Sequence, residues 1–167
     1  MEQHVAPRGY QQLTGMSAAT GLTLPVGPEV ASATSASLSG RLLTLGGTVT
    51  GVFEPGQTVS GTGIPANTTI SAEGNTSGTF WLTNACTTES GESVTAYQTL
   101  ISDMVVLQAE VEAVRWRDDG NAPTSAVGQV MAVSAAPLEY TGDLTAIQFI
   151  QVAVGAIVDA TFYKLVG

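Results

Sequence analysis

The stretch Val114-Arg115-Trp116-Arg117-Asp118-Asp119-Gly120 has the pattern of a β-strand that ends in a turn. Val114 and Trp116 lie on one side at a two-residue period, with Arg115 and Arg117 on the other, which is the alternation of a strand with one buried face. The Asp-Gly pair and the Asn-Ala-Pro that follows it are suited to a turn. The stretch therefore predicts a half-buried strand whose two arginines fix either the surrounding fold or a contact between subunits.

A strongly apolar segment precedes this strand and has the opposite phase. Val105, Leu107 and Ala109 share one alternation, whereas Val114 and Trp116 belong to the other. A shift of one residue moves every side chain of a strand to its other face. The change of phase therefore predicts a bulge or a tight turn near residues 110–112.

The composition of the whole chain favours strands over helices. Of its 167 residues, 44% are hydrophobic, only 11% are charged and 19 are glycine. Short runs of Ser, Thr and Val between Gly, Pro and Asn are typical of many short strands joined by tight turns. We therefore expect an all-β protein with an antiparallel β-sandwich or jelly-roll-like base. Predicted strands include residues 37–45, 48–53, 57–60, 68–72, 79–83, 93–97, 101–110, 126–133, 138–140, 144–150, 152–154 and 157–165.

The net charge of −9 limits the classes of partner. Phosphate binding needs clustered Lys and Arg, so neither nucleic acid nor an anionic membrane surface is an expected partner. Negative charge serves solubility or docking on a basic surface. A surface with few ions is also cheap to cover with a partner, although solvated loops account for the same composition. The N-terminus lacks the apolar run after a basic start that marks a signal peptide. No segment has the length and apolarity of a membrane span.

Changes in composition divide the chain into an arm and two domains. Residues 1–9 are polar and have no period, so we expect a flexible N-terminal arm, either disordered or reaching a neighbouring subunit. Residues 28–98 are rich in Ser, Thr and Gly, which predicts a small inserted β domain. Residues 10–27 and 99–167 then form one discontinuous β-sandwich base. Closing a long loop costs little when its ends are close, so the ends of the insert should be neighbours and the insert should project outward.

Carboxylates are the only plausible catalytic groups in the sequence, and their spacing argues against catalysis. Asp118 and Asp119 are adjacent, so on a strand they would face opposite sides, which is wrong for a cooperating pair. Capping of the turn and an ion pair with a nearby arginine are the expected roles. Glu139 and Asp143 flank another turn and are expected to be solvated or capping groups. A calcium loop around Asp118 lacks the later ligands of an EF-hand.

The other reactive residue types lack partners in the sequence. His4 is the sole histidine, so one chain cannot build a histidine-based triad or zinc site. Cys86 has no second cysteine and is expected to be a small packing residue. We therefore expect no catalytic residue, no cofactor and no metal. The adjacent Phe80 and Trp81 should face opposite sides of a strand, which leaves one in a core and the other free for a partner or a sugar.

The segment from residue 104 to residue 163 resembles a recurrent domain of tailed-bacteriophage virion proteins. In that family, an opening segment like residues 10–13 and 21–25 passes almost directly to a strand like residues 106–110, whereas here residues 28–98 intervene. The resemblance rests on VRWRDDGNAPT (114–124), VG (127–128), LEYTGDL (138–144), IQFI (147–150) and TFY (161–163).

The intervening segment resembles a second phage module. GQTVSGTGIPANTTI (56–70), followed by GTF (78–80), is similar to a repeat in phage tail and surface proteins. Both resemblances imply a structural role in assembly and no enzymatic activity. The candidates for structural or interface roles are Arg115, Trp116, Arg117, Asp118, Asp119 and Gly120.

These resemblances imply a capsid decoration or cement protein. It would be made in the cytoplasm of the bacterial host and would bind the major capsid protein or other virion proteins at the capsid surface. Because capsid sites have rotational symmetry, we expect a symmetric homo-oligomer, with a trimer favoured. The base would dock on the lattice. The alternative position is the tail, neck or a fibre, where the insert would recognise a host receptor or carbohydrate.

Overall fold

A computed structural model describes residues 4–166, and these residues form twelve strands and no helix. Every strand pairing among them is antiparallel, which confirms the all-β prediction. In chain order the strands are β1 His4–Leu13, β2 Thr20–Gly21, β3 Val26–Thr44, β4 Val49–Gly51, β5 Thr58–Gly61, β6 Thr79–Thr99, β7 Met104–Ala109, β8 Val114–Arg117, β9 Gln129–Met131, β10 Leu138–Tyr140, β11 Gln148–Gln151 and β12 Val158–Val166.

The chain divides into two compact units. The sandwich unit comprises Met1–Pro25 and Ile101–Gly167, and the inserted unit is Val26–Leu100. The boundaries predicted after residues 27 and 98 therefore each lie two residues from the observed ones. Val26 and Thr99 are register partners, so the two ends of the inserted unit meet, as an insert requires.

The sandwich unit consists of two four-stranded sheets. One has the strand order β1-β12-β7-β10 and the other β2-β11-β8-β9. Their inner faces share one core, to which β7 contributes Leu107, β8 contributes Val114 and Trp116, β11 contributes Phe149 and β12 contributes Phe162. The alternation predicted for β7 and β8 is confirmed, because buried and partly exposed residues alternate along both strands.

Two of the loops that carry the chain from one sheet of the sandwich unit to the other bear on the predictions. Residues 110–113 connect β7 to β8, which confirms the turn predicted near residues 110–112, and residues 152–157 connect β11 to β12. The strand predicted over residues 152–154 is wrong. These residues belong to the second crossing, where Gly155 has a φ of 96°, a left-handed conformation that does not continue a strand.

The flexible arm predicted over residues 1–9 is wrong for the part that the structure describes. Residues 4–9 belong to β1, which pairs along its length with β12. β1 lies at the edge of its sheet, where a proline and a bulge are tolerated. The register shifts between Pro7 and Gly9, and this irregularity removes the period from the sequence without ending the strand. Residues 1–3 lie outside the described residues.

The inserted unit is a single curled sheet with the strand order β4-β3-β6-β5. Its long strands extend further than predicted, because residues 79–83 and 93–97, expected as separate strands, are both parts of β6. The break predicted at Ser90-Gly91 is instead a bulge, where the register with β3 shifts and Gly91 has a φ of 76°. A bulge bends a strand while pairing resumes on its far side.

Residues 68–71 complete the curl of the inserted unit. The backbone N of Val59 donates to O of Thr68 (2.9 Å), and N of Ser71 donates to O of Trp81 (2.7 Å). The segment therefore joins β5 to the first half of β6, while β5 pairs with the second half. The enclosed core is Ala31, Ala33, Ala36, Leu38, Leu43, Phe53, Val59, Ile70, Leu82, Val94 and Ala96.

Candidate functional site

Trp116 anchors the predicted site in the core of the sandwich unit. Its side chain is only 8% exposed, and its ring meets that of Tyr140 edge to face, with 6.1 Å between the centroids and 72° between the planes. Burial of a tryptophan contributes much to a core, and the edge-to-face geometry is the one that aromatic pairs prefer. Trp116 therefore holds the fold together and is not a free contact residue.

Arg115 fastens the loop that follows β8. Its Nε donates to O of Ser125 at 3.0 Å and its Nη1 donates to O of Gly128 at 2.9 Å. Gly128 has a φ of 128°, and a Cβ there would lie 3.0 Å from O of Trp116. The loop thus returns close to its own strand at a position that suits glycine, and Arg115 holds it there through two backbone carbonyls.

Arg117 pairs with Asp119, not with Asp118. Its Nε donates to Oδ1 of Asp119 at 3.0 Å, and Nη2 donates to the other carboxylate oxygen. Asn121 also donates to this carboxylate through its backbone N and its side chain. The pKa of Asp119 lies well below its usual range, chiefly because of the hydrogen bonds from Arg117 and then those from Asn121. Gly120 supplies the positive φ of the turn, 78°.

Asp118 has a different neighbour. Burial of the phenol of Tyr140, followed by its interaction with the carboxylate of Asp118, raises the pKa of Tyr140. The two adjacent carboxylates therefore have different surroundings, and the turn-capping and ion-pairing roles expected of the pair are both taken by Asp119. Arg115, Trp116, Arg117, Asp118, Asp119 and Gly120 form one folding unit around the end of β8.

A cleft of about 310 Å³ lies beside this unit. Its lining consists of Trp116, Arg117, Asp118, Asp119, Val127, Gly128 and Gln129. Arg117 and Asp119 at its border already bond to each other. The cleft therefore brings together residues of the sequence motif, but its arginine and one of its two carboxylates are engaged with each other.

A second cleft, of about 610 Å³, contains two carboxylates of the sandwich unit. Oδ2 of Asp103 accepts from N of Leu165 at 3.1 Å. Oδ1 of Asp143 accepts from N and Oγ1 of Thr145, at 2.8 and 2.6 Å, and these hydrogen bonds lower the pKa of Asp143. Asp143 thus caps its turn, as predicted. Among residues 4–166, no three His, Cys, Asp or Glu side chains are grouped so that they could hold a metal ion.

The GTGIPANTTI segment of the inserted unit (residues 61–70) forms a loop that the hydrogen bonds of a buried threonine stabilise. Thr68 is fully buried; its Oγ1 donates to O of Pro65 at 2.7 Å and accepts from Nδ2 of Asn84 at 3.2 Å. Asn67 has a φ of 59°, a left-handed conformation that asparagine tolerates better than most residues. A Cβ at Gly63 would lie 2.7 Å from Cγ of Glu89. The motif therefore encodes a specific loop shape.

The aromatic pair of the inserted unit divides as predicted. Phe80 packs against the core and lies 5.9 Å from Phe53, centroid to centroid, whereas Trp81 is 44% exposed. The indole of Trp81 covers Gly74, where a Cβ would lie 2.6 Å from its Cδ1. Cys86 packs against the same core as Phe80, and burial raises the pKa of its thiol.

Exposed valines are the surface feature that sequence reasoning missed. Val154 is 89% exposed, Val111 57% and Val152 45%. The signal in the sequence is the Val-Ala-Val-Gly run at residues 152–155, whose apolar residues are equally compatible with the strand predicted there and with an exposed loop. Within residues 4–166, no helix is long and apolar enough to cross a membrane.

In comparisons with known proteins, no family model, curated protein or solved structure matched the chain.

Proposed function

We propose that this chain is a structural protein of a tailed-bacteriophage virion and that it decorates or cements the capsid lattice. The sequence resemblance supports the proposal through residues that build the sandwich unit, above all Trp116 and the two arginines beside it. The observation that carries it is the apolar surface of the same unit. Large hydrophobic side chains that are more than one third exposed include Tyr10, Ile101, Val111, Val127, Val130, Val152 and Val154.

Contiguous apolar surface is typical of surfaces that bind other proteins. Val111, Val152 and Val154 lie on two loops that backbone hydrogen bonds hold together. Only 11% of the residues are charged, so covering the surface removes few ions from water. The net charge of −9 favours a partner with a basic surface. These properties suit a protein that lies permanently against the major capsid protein or another virion protein.

A symmetric homo-oligomer is part of the proposal, with a trimer favoured. Capsid lattices present rotational symmetry, and small β modules gain buried area by associating around such an axis. The protein would be made in the cytoplasm of the bacterial host and would then join the capsid surface. The proposed role is not catalytic, and the carboxylates of Asp119 and Asp143 take part in the internal hydrogen bonds described above.

The direct test is binding of the purified chain to capsids of its own phage assembled without it. We expect saturable binding at a fixed ratio to the major capsid protein, measured by co-sedimentation and quantitative gel analysis. Capsids that contain the chain from assembly are the matched control and should take up none. Absence of binding to the vacant capsids would contradict the proposal.

The exposed indole of Trp81 favours one second candidate, a tail, neck or fibre component with a glycan-binding insert. An exposed tryptophan offers a flat apolar face on which a sugar ring can stack. In this case the isolated chain should bind host cells, and Trp81→Ala should abolish that binding. The matched control is Phe53→Leu, which alters the core of the same unit and leaves the exposed indole in place.

A further inference from the structure

We infer that the two loops at one end of the sandwich unit form its docking surface, and that the partner is a virion protein with an apolar recess bordered by Lys or Arg. The surface, here called the valine tip, consists of residues 110–112 and 152–155. This inference rests on the proposed function and adds to it the site of contact and the chemistry of the partner.

Backbone hydrogen bonds hold the two loops side by side. N of Glu110 donates to O of Ile157 at 2.9 Å, and N of Val152 donates to O of Ala113 at 3.1 Å. The strands that flank the loops are also paired, because β7 pairs with β12 and β8 pairs with β11. Backbone hydrogen bonds therefore fix the valine tip in the sandwich unit, so that the surface is formed before a partner binds.

The side chains of the tip are apolar and face solvent. Val154 is 89% exposed, the largest value among the exposed large hydrophobic residues, and Val111 and Val152 are 57% and 45% exposed. Ala153 is exposed between the two valines of its loop. Ala156 and Val158 belong to the buried core of the sandwich unit, whereas the three valines do not. Their exposed methyl groups are therefore available to fill a recess in another protein.

The charges around the tip indicate which charge the border of the partner's recess should have. Glu110 and Glu112 flank Val111 and are exposed, and neither loop contains Lys or Arg. Opposite charges around an apolar contact guide association and fix its orientation. A recess with a basic border complements the tip, whereas an acidic border or an anionic surface would repel it.

A second copy of this chain is a poor source of such a border. The whole chain has five Lys and Arg residues. Arg41 donates to O of Leu82, Arg115 donates to two carbonyls and Arg117 is paired with Asp119. Three of the five cations are thus engaged inside the chain that carries them, which leaves Arg8 on β1 and Lys164 on β12. Because two cations in a chain of net charge −9 make a weak basic border, we assign the border to a different virion protein.

The test compares valine variants of the full chain in binding to capsids assembled without it. Asn is chosen because it removes apolar surface without changing the charge. We expect Val154→Asn and Val111→Asn each to weaken binding roughly tenfold or more, as loss of a buried valine implies. Val52→Asn is the matched control, because Val52 is an exposed loop valine of the inserted unit (65% exposed), and it should bind like the wild type.

The acidic residues need a separate measurement. We expect the double variant Glu110→Gln, Glu112→Gln to associate more slowly at low salt and to lose most of the salt dependence of its association rate. The double variant Glu54→Gln, Glu73→Gln has the same change in net charge at exposed positions of the inserted unit and should keep the wild-type salt dependence.

The outcomes separate this inference from the proposed function. If the wild type binds vacant capsids and Val154→Asn binds equally well, the valine tip is not the docking surface, but the decoration role stands. If the wild type does not bind, both fall. Conversion of a wild-type oligomer into monomers by Val154→Asn in analytical ultracentrifugation would assign the tip to a second copy. Binding to phosphatidylcholine vesicles that Val154→Asn abolishes would assign it to lipid. Either result would overturn the inference.

Discussion

Arg115 and Arg117 leave β8 on the same face, but their partners differ in kind. Arg115 donates to two backbone carbonyls of the loop that it fastens, whereas Arg117 pairs with an exposed carboxylate in the turn. A partly buried carbonyl that loses its hydrogen-bond donor is left without a partner and still shielded from water, which costs free energy. An exposed carboxylate that loses its ion-pair partner is hydrated instead, so the cost is small. The two arginines of one short motif should therefore have unequal effects on stability.

At this scale we expect Arg115→Ala to lower the free energy of unfolding by about 1–3 kcal/mol, because two hydrogen bonds to backbone carbonyls are lost. Arg117→Ala is the matched control on the same strand and should have the smaller effect. Urea denaturation followed by tryptophan fluorescence measures both. Equal effects would show that Arg115 does not fasten the loop.

Asp119 should make stability depend on pH. Its pKa is depressed in the folded chain, so its contribution is fully present above the unfolded-state pKa of about 3.9 and is lost as pH falls toward the folded-state pKa. The difference in unfolding midpoint between the wild type and Asp119→Asn should be constant near neutral pH and should shrink below about pH 4. A difference that grows on acidification would contradict the assignment.

Among the elements, β8 could be predicted from sequence and β1 could not. The alternation of Val114 and Trp116 is undisturbed, and one face of the strand is buried. β1 is an edge strand whose register shifts after Pro7, so its sequence lacks the period that identifies strands. An irregularity also makes β6 longer than its sequence predicts, because the bulge at Gly91 has the sequence pattern of a turn. Glycine and proline mark both turns and bulges, and only the pairing partner distinguishes them.

The candidate site shows the same division. An ion pair between an aspartate and an arginine could be predicted because these residues are close in sequence, although Asp118 and Asp119 lie after the end of β8 and not on the strand. The proximity of Asp118 to Tyr140 could not be predicted, because these residues are distant in sequence. The valine tip was missed for a similar reason, since a short apolar run is compatible with either a strand or an exposed loop.

Deletion of residues 1–9 tests the assignment of β1. If these residues were a free arm, the deletion would leave the sandwich unchanged. Because residues 4–9 pair with the end of β12, we expect faster amide hydrogen exchange over residues 163–166 in the deletion variant. Residues 158–161, which pair with the part of β1 that remains, serve as the internal control and should keep their protection. Unchanged exchange over residues 163–166 would contradict the pairing and support a flexible arm instead.

At the scale of the whole molecule, the two units have separate cores. The chain enters and leaves the inserted unit at the paired residues Val26 and Thr99, so a short linker can replace the unit without strain.

We expect a variant with residues 27–98 replaced by a short Gly-Ser linker to fold. Trp116 is then its single tryptophan, because the chain has two and the other is Trp81. Its emission should remain that of a buried indole and should shift to the red in one cooperative step on urea denaturation. A red-shifted emission in the absence of urea would mean that the sandwich depends on the insert.

The copy number of this chain per purified virion, relative to the major capsid protein, tests the proposed role most directly. Quantitative mass spectrometry of intact particles gives the ratio. A decoration or cement protein should be present at a fixed fraction of the lattice, and that fraction should match the symmetry of its oligomer. A handful of copies per particle would contradict decoration and would place the chain in the neck, the tail or a fibre.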